Sequence, residues 1–141
     1  MIKFCLLPRV INKSPEELTQ ELNINPTILK YLLDTFSKPS FTFDDKLKHI
    51  KSNEHLLKNI YYIIALAFFL YDFKFDALPL CESLKIDTKQ MYFYLKELSC
   101  EFPNIKTEII DDKKIKNIKD FLVELKAPLK FSVSVFRKKG R

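Results

Sequence analysis

The side chains that most often catalyse reactions or bind metals are few and widely separated in this sequence. There are 3 cysteines and 2 histidines, and no two cysteines form a C-x-x-C pair. Distant cysteines in odd number indicate neither a disulfide framework nor a zinc site, so Cys5, Cys81 and Cys100 are expected to be small buried side chains in a reducing compartment. His49 and His55 have no third ligand nearby and are expected at the surface.

The carboxylates that stand together are the adjacent pairs Asp44–Asp45 and Asp111–Asp112. Neither pair has further ligands close by, so turn and helix-cap roles are expected rather than metal binding. The single glycine, Gly140, excludes a glycine-rich phosphate-binding loop. No catalytic sequence motif is present. The sequence therefore predicts a protein that is not an enzyme and that uses no cofactor, metal or small-molecule substrate.

Lysine supplies most of a net charge of +6, which favours an anionic partner and nucleic acid in particular. Lysines on a predicted helix, in the link before it and in a charged connector after it would neutralise phosphates without reading base sequence. No arginine lies on that helix, so bidentate contacts to guanine are not expected there. The predicted DNA-binding residues are Lys85, Lys89, Lys96, Lys106, Lys113, Lys114, Lys116, Arg137, Lys138, Lys139 and Arg141.

The predicted helix from Thr88 to Leu98 has one apolar face. Its burial would turn Lys89, Tyr92 and Lys96 outward. The residues expected on the buried face are Met91, Tyr94, Leu95 and Leu98. A second interpretation fits the same pattern: the lysines form a solvated face, and the protein binds only other proteins. The sequence leaves both interpretations open.

Two helix-turn-helix segments are predicted, and they repeat one pattern. The first carries the start signals of two helices, which are Ser14, Pro15 and Glu17 for one helix and Asn25 and Pro26 for the other. The same order of leucines, link and capping residue returns 62 positions later, from Leu18 to Leu80 and from Asn25 to Asp87. Shared caps and a shared link length predict a structural repeat.

A long apolar stretch, Asn53–Phe73, lies between the two segments and has no charged residue from Ile60 to Tyr71. A helix that is apolar on every side is expected to be covered on every side, with Ala65 and Ala67 allowing close packing. Crossing a membrane needs roughly 20 apolar residues, so this run is too short. No signal-peptide pattern is present, and an intracellular, soluble protein is expected.

The predicted fold class is mainly α with small β wings (α+β), arranged as a tandem winged helix. Residues 1–52 are expected to form a first, shortened winged-helix-like module, and residues 53–136 a second winged helix with an extended C-terminal segment. Residues 137–141 form a basic tail. After Leu98, β-forming residues joined by a charged connector predict the strands of the second wing.

The first module is expected to lack a wing of its own. Residues Ile2–Leu7 form an apolar run that predicts a short strand or an extended lead-in. Pro39 ends the second predicted helix, and the spacing of apolar residues in Phe43–Lys51 predicts a short amphipathic helix. This module is therefore expected to be a packing partner or docking platform rather than a DNA reader.

The sequence resembles one known family. The run Tyr62–Asp76, Y-I-I-A-L-A-F-F-L-Y-D-F-K-F-D, and the following L-C-E-S-L-K-I-D-T-K-Q-M look like the second winged helix in the forty-nine-kilodalton subunit of RNA polymerase I. L-T-Q-E-L with I-L-K-Y-L-L-D-T-F resembles the end of that family's first winged helix. The segment L-K-A-P-L-K-F and the R-K-K-G-R end resemble its C-terminus. The resemblance covers most of Leu18–Arg141.

The resemblance implies a tandem winged helix similar to that of the general factor TFIIE, near the clamp and cleft of RNA polymerase I. Its partners would be the polymerase I core subunits and DNA, bound mostly through the backbone. It would support initiation and elongation of ribosomal RNA synthesis in the nucleus and nucleolus. The alternative is a TFIIE-like protein-interaction scaffold in another transcription complex, without DNA contact. The family's N-terminal dimerisation barrel, and with it the usual heterodimer partner, is expected to be absent.

Overall fold

A computed structural model of the protein describes residues 1–43, 46–105 and 120–126. The chain divides into two compact units, Met1–Leu66 (unit 1) and Ala67–Arg141 (unit 2). Helices and small antiparallel sheets alternate in both units, which confirms the predicted α+β class with β wings.

In each unit a strand is followed by two helices and then by further strand structure. Unit 1 contains α1 (Ile2–Cys5), β1 (Val10–Ile11), α2 (Pro15–Leu22), α3 (Pro26–Phe36), β2 (Lys38–Phe41) and β3 (Leu47–Ile50). Helix α4 (Asn53–Leu70) begins in unit 1 and ends in unit 2. Unit 2 continues with β4 (Lys74–Asp76), α5 (Leu78–Leu84), α6 (Thr88–Glu97) and β5 (Leu122–Glu124).

Side-chain caps start α2 and α3 where the sequence predicts them. The Ser14 hydroxyl accepts a hydrogen bond from the Glu17 N–H at 3.2 Å, and the Glu17 carboxylate accepts one from the Ser14 N–H at 3.0 Å. This pair is the predicted capping box. Asn25 accepts from the Thr27 N–H at 2.8 Å and so caps α3. Both caps satisfy backbone donors that have no partner within a helix.

The core of unit 1 forms between α2, α3 and the N-terminal elements. Its buried residues are Phe4, Ile11, Leu18, Leu22, Leu29, Leu32, Leu33 and Phe36. The leucines of α2 and α3 recur at three- and four-residue spacing, which places them on one face of each helix. The ring of Phe36 meets that of Tyr62 edge-on, with 5.3 Å between the centroids, so the start of α4 also packs in this unit.

Three expectations about unit 1 are wrong. The residues Ile2–Cys5 form a helix and not an extended lead-in, and Leu47–Ile50 form a strand and not a helix. A wing is therefore present before Ser52. Strand β3 pairs with β2 on one side and with β1 on the other, giving the order β1-β3-β2. The apolar spacing of so short a segment fits either a helix or a strand, and pairing on both edges of β3 decides for the strand.

A buried lysine joins the end of β3 to the N-terminal helix. The Lys51 side chain is 2% exposed. Its ammonium donates to the carbonyl oxygens of Phe4, Cys5 and Leu7 at 3.1, 3.2 and 2.6 Å. It also lies 5.4 Å from the centre of the Phe4 ring. Burial lowers the Lys51 pKa, but the three carbonyl acceptors offset much of the cost of placing a cation there.

Unit 2 has a smaller sheet built in the same way. Strand β4 pairs antiparallel with β5, with Phe75 opposite Val123, and Glu101 forms a further bridge to Glu124. The Lys126 ammonium lies 3.1 Å from a carboxylate oxygen of each of these glutamates. The hydrogen bond to Glu101, followed by that to Glu124, raises the Lys126 pKa. Backbone pairing and ion pairs therefore join Glu101 to Glu124 and Lys126 at this edge of the sheet.

Helix α4 forms where it is predicted, but it is not covered on every side. Ser52 and His55 cap its start, with 2.7 Å between the Ser52 hydroxyl and His55 Nδ1. Ile64 is completely buried, whereas Ala65 is exposed and Ala67 is buried. The exposed apolar side chains of this helix are Leu57, Tyr62, Leu66, Phe69 and Leu70. Full coverage was the wrong expectation, because only one side of the helix meets the cores.

Replacing Lys51 by methionine is expected to lower the free energy of unfolding by about 2–4 kcal/mol, because one buried and two partly buried carbonyls lose their charged donor. Urea denaturation followed by circular dichroism measures the change. Lys46→Met is the matched control, since Lys46 is exposed and its loss should change stability by about 0.5 kcal/mol or less. Equal stability of the two variants would contradict a structural role for Lys51.

Candidate nucleic-acid interface

Each unit contains a helix-turn-helix corner built without glycine. In unit 1 the corner residue is Asn23, with φ 52° and ψ 54°, and in unit 2 it is Lys85, with φ 54° and ψ 40°. The two positions are related by the predicted 62-residue repeat. Left-handed backbone at this point turns the chain sharply, so that a second helix starts three residues later.

The hydrogen bonds of the two corners also match. The Ile24 N–H donates to the Thr19 carbonyl at 3.2 Å, and the Ile86 N–H donates to the Cys81 carbonyl at 3.0 Å. This bond across five residues is part of the Schellman arrangement that ends many helices. Asp87 then caps α6 by accepting from the Lys89 N–H at 2.6 Å, as Asn25 caps α3. The predicted structural repeat is therefore present at the level of individual backbone bonds.

Three of the predicted DNA-binding lysines lie on this second corner and its helix. Lys85 and Lys96 are exposed, and Lys89 is half-buried in the first turn of α6. Lys89 and Lys96 are seven residues apart, so they lie on nearly the same side of the helix. The Lys96 ammonium is 5.9 Å from the centre of the Tyr92 ring. Lys85, Lys89 and Lys96 together are the α6 lysine face.

The other predicted DNA-binding residues lie outside the described part of the chain, and their role stays a prediction. They are Lys106, Lys113, Lys114, Lys116, Arg137, Lys138, Lys139 and Arg141. The acidic pairs Asp44–Asp45 and Asp111–Asp112 also lie outside it. Within residues 1–43, 46–105 and 120–126, no group of three or more histidine, cysteine or acidic side chains is placed to hold a metal.

The orientation predicted for Tyr92 is wrong. Its side chain is only 2% exposed, and its ring lies against that of Phe102 with 4.6 Å between the centroids. Tyr94, predicted to be buried, is half-buried, and Phe93 is exposed. The buried stripe of α6 is thus shifted by part of a turn, because the Phe102 ring, which itself stacks on Phe121, lies against Tyr92. Sequence reasoning did not identify Phe93 as a residue of this surface.

The cysteines and histidines show packing and capping roles. Cys81 and Cys100 are buried free thiols, and burial raises the pKa of Cys81 to about 11 and that of Cys100 to about 12. Both are therefore protonated at neutral pH. His49, predicted at the surface, is half-buried, with Nδ1 3.1 Å from the Ser37 hydroxyl. His55 caps α4 as described above.

The corresponding face of α3 in unit 1 has a different character. Helix α3 carries Lys30 and Asp34, both exposed, and an exposed tyrosine, Tyr31. The charges of opposite sign give this face no net positive potential. Unit 1 does have a wing, but on α3 the one lysine is offset by an aspartate, which does not favour phosphate binding.

Helix-turn-helix corners with antiparallel β wings define the class: an α+β protein of the helix-turn-helix type. The family model of the A49-like RNA polymerase I associated factor matches residues 1–132, and the chain belongs to this family. This confirms the resemblance drawn from the sequence. No curated protein and no solved structure matches the chain. Among the described helices, none is both long and apolar enough to span a membrane.

Replacing Lys85 by glycine is expected to raise the free energy of unfolding by about 0.5–1 kcal/mol. Glycine has no Cβ to strain in the left-handed region, and part of that gain is offset by the greater freedom of the unfolded chain. Thermal or urea denaturation measures the difference. Lys85→Ala keeps the Cβ and removes the same charge, so it is the control. A glycine variant no more stable than the alanine variant would contradict backbone strain at this residue.

Proposed function

We propose that this chain is a non-catalytic component of the RNA polymerase I machinery that holds DNA, largely non-specifically, near the polymerase cleft. It supports initiation and elongation of ribosomal RNA transcription, and it acts in the nucleus and nucleolus. Family membership supports the association with RNA polymerase I. The observation that carries the DNA-binding part is the α6 lysine face, which stands on the second helix of a helix-turn-helix corner.

We infer that both units are winged helices, which makes the described fold a tandem winged helix. In unit 1 the order α1-β1-α2-α3-β2-β3, with β1 beside β3, supports this inference. In unit 2, β4, α5, α6, the Glu101 bridge and β5 repeat the order, and β4 pairs with β5. The second helix of such a corner is the one that approaches DNA in helix-turn-helix proteins. The proposed module limits remain residues 1–52, 53–136 and 137–141.

The chemistry of the α6 lysine face favours contacts to phosphate. Lys85, Lys89 and Lys96 are point charges on long side chains, which neutralise phosphates but do not form the planar, paired contacts of arginine with guanine. Affinity for DNA should therefore depend strongly on salt and weakly on base sequence. The proposed contacts extend to the lysines of the second wing and to the basic tail.

Replacing Lys85, Lys89 and Lys96 together by glutamine is expected to weaken binding of a DNA duplex roughly tenfold or more at low salt. The slope of log affinity against log salt should become shallower by about 0.9 for each phosphate contact that is lost. Fluorescence anisotropy with the full chain measures both quantities.

The matched control replaces three exposed lysines on other elements, Lys3, Lys13 and Lys74, by glutamine, so that the net charge of the two variants is the same. If both triple variants bind DNA alike, overall charge and not the α6 lysine face accounts for binding. If the unsubstituted chain shows no salt dependence, the DNA-binding proposal itself is wrong.

A protein-interaction scaffold is the second candidate function, and the exposed end of α4 favours it. Phe69, Leu70 and the following Tyr71 are 73%, 78% and 62% exposed. The rings of Phe69 and Phe73 lie edge to face, with 5.6 Å between their centroids. Large adjacent apolar side chains in solvent are typical of a surface that binds another protein. The polymerase I core subunits are the proposed partner for this surface.

Replacing Phe69 and Leu70 by serine is expected to reduce recovery of the large polymerase I subunits with the tagged full chain from native cells by roughly tenfold, because an apolar contact is lost. DNA affinity should be unchanged. The control is Glu82→Ser, an exposed position on α5. Undiminished recovery with the double variant would remove this surface from the interface. Recovery of a different polymerase with the unsubstituted chain would overturn the proposed partner.

A further inference from the structure

An exposed aromatic side chain stands at the same place on the second helix of both corners. Tyr31 on α3 is 57% exposed, and Phe93 on α6 is 49% exposed. The two positions are related by the 62-residue repeat. On each helix the ring projects from the side opposite the buried stripe, which is marked by Leu29 and Leu33 on α3 and by Met91 and Leu95 on α6.

The Phe93 ring is the exposed end of a line of four aromatic rings. Its centroid lies 6.1 Å from that of Tyr92, with 71° between the ring planes. Tyr92 lies 4.6 Å from Phe102, and Phe102 stacks on Phe121 at 6.0 Å. Tyr92 and Phe121 are buried, so the inner rings are fixed by the core. This contact limits the freedom of Phe93, which lowers the entropy cost of binding a flat ligand.

Lysines flank Phe93 along the helix. Lys89 lies one turn before it and Lys96 about one turn after it, so all three side chains occupy one side of α6. The Lys96 ammonium is held 5.9 Å from the Tyr92 ring, next to Phe93 in sequence. The positions on α3 that correspond to the lysines hold Thr27 and Asp34. The α6 face therefore combines an exposed ring with a lysine on each side, and these two lysines outnumber the single exposed carboxylate of α6, that of Glu97.

We propose that Phe93 is a base-stacking residue for single-stranded DNA, and that Lys89 and Lys96 contact the phosphates on either side of the stacked base. The proposal rests on the DNA binding proposed above and names its substrate class. A ring offers stacking area to an unpaired base, whereas the bases of a duplex are already stacked on each other. The lysines favour a nucleic acid over an apolar protein partner, because phosphates follow the strand on both sides of every base.

The ring also fits a duplex less well than a single strand. Phenylalanine has no hydrogen-bonding group for base edges and can contact only apolar groups such as the thymine methyl. Stacking accepts any base, so the interaction adds affinity without sequence preference. A surface of this kind holds strands that have been separated, and it distinguishes them from duplex DNA by the availability of the base faces.

The first experiment compares two ligands, a labelled oligothymidine of about 16 nucleotides and a duplex of mixed sequence, by anisotropy with the full chain. Phe93→Ala is expected to weaken single-strand binding by about 5- to 100-fold and to change duplex binding by less than about twofold. Phe93→Tyr keeps a ring and should retain single-strand affinity. Tyr31→Ala, at the corresponding position of unit 1, is the matched control and should leave both affinities unchanged.

A second experiment observes the stacking directly. The chain contains no tryptophan, so Phe93→Trp introduces a single fluorophore at the proposed site. Its emission should be quenched and shifted when oligothymidine binds, because an indole stacks on bases as phenylalanine does. Tyr31→Trp places the same fluorophore on α3 and should show no quenching at the same oligothymidine concentration.

The outcomes separate this proposal from the one on which it rests. Suppose that the variant with Lys85, Lys89 and Lys96 replaced by glutamine loses DNA binding while Phe93→Ala loses none. The DNA function then stands, and base stacking is refuted. Equal losses on single strand and duplex with Phe93→Ala would also overturn stacking, because they indicate a contact common to both ligands. An unquenched Phe93→Trp variant that still binds oligothymidine would likewise refute stacking. If the variant with Lys85, Lys89 and Lys96 replaced by glutamine binds both ligands normally, DNA is not bound at the α6 lysine face, and the phosphate contacts proposed here fail with it.

Discussion

The helix-turn-helix corner is the constraint on which the rest of each unit depends. A residue such as lysine in left-handed conformation costs about 1–2 kcal/mol, and asparagine less; the chain adopts this conformation at both Asn23 and Lys85. The Schellman hydrogen bonds and the side-chain caps offset part of this cost. Burial of Leu22 and Leu84, each directly before its corner, contributes about 1.5–3 kcal/mol per side chain. A different backbone conformation at these two residues would turn α3 away from α2, or α6 away from α5. It would therefore change which side chains reach the surface.

One fold with two different surfaces results from this repeat. The corners and the caps of the second helices match, but the second helix presents Lys89, Phe93 and Lys96 in unit 2 and Thr27, Tyr31 and Asp34 in unit 1. Exposed helix positions tolerate these differences because they contribute little to the core. The units also differ before their first strand: a buried lysine contacts α1 in unit 1, whereas only the end of the long α4 precedes β4 in unit 2. The fold therefore permits the DNA binding proposed for unit 2 without requiring it of unit 1.

Most of the regular structure could be predicted from the sequence. Ser14, Asn25 and Asp87 were identified as caps, because a cap is a hydrogen bond to a backbone group two or three residues away and needs no distant partner. The spacing of apolar residues located α2, α3, α4 and α6. This spacing did not determine which residues at the border of each apolar stripe are buried. At 3.6 residues per turn, neighbours such as Tyr92 and Tyr94 lie on opposite borders of the apolar stripe, and periodicity alone does not choose between them.

The sequence by itself determined the local hydrogen bonds, the repeat, the α+β class and the family, because each depends on residues close together or on the order of residue types. Tertiary structure decided what distant residues cover. The Phe102 ring lies against the buried Tyr92, whereas Phe93 stays exposed, and pairing with β1 and β2 makes β3 a strand. A lysine such as Lys51 is ordinarily a surface residue, yet its ammonium is buried, because carbonyl groups more than forty residues away accept its hydrogen bonds. Burial depends on the neighbours that folding supplies, and those neighbours lie far along the chain.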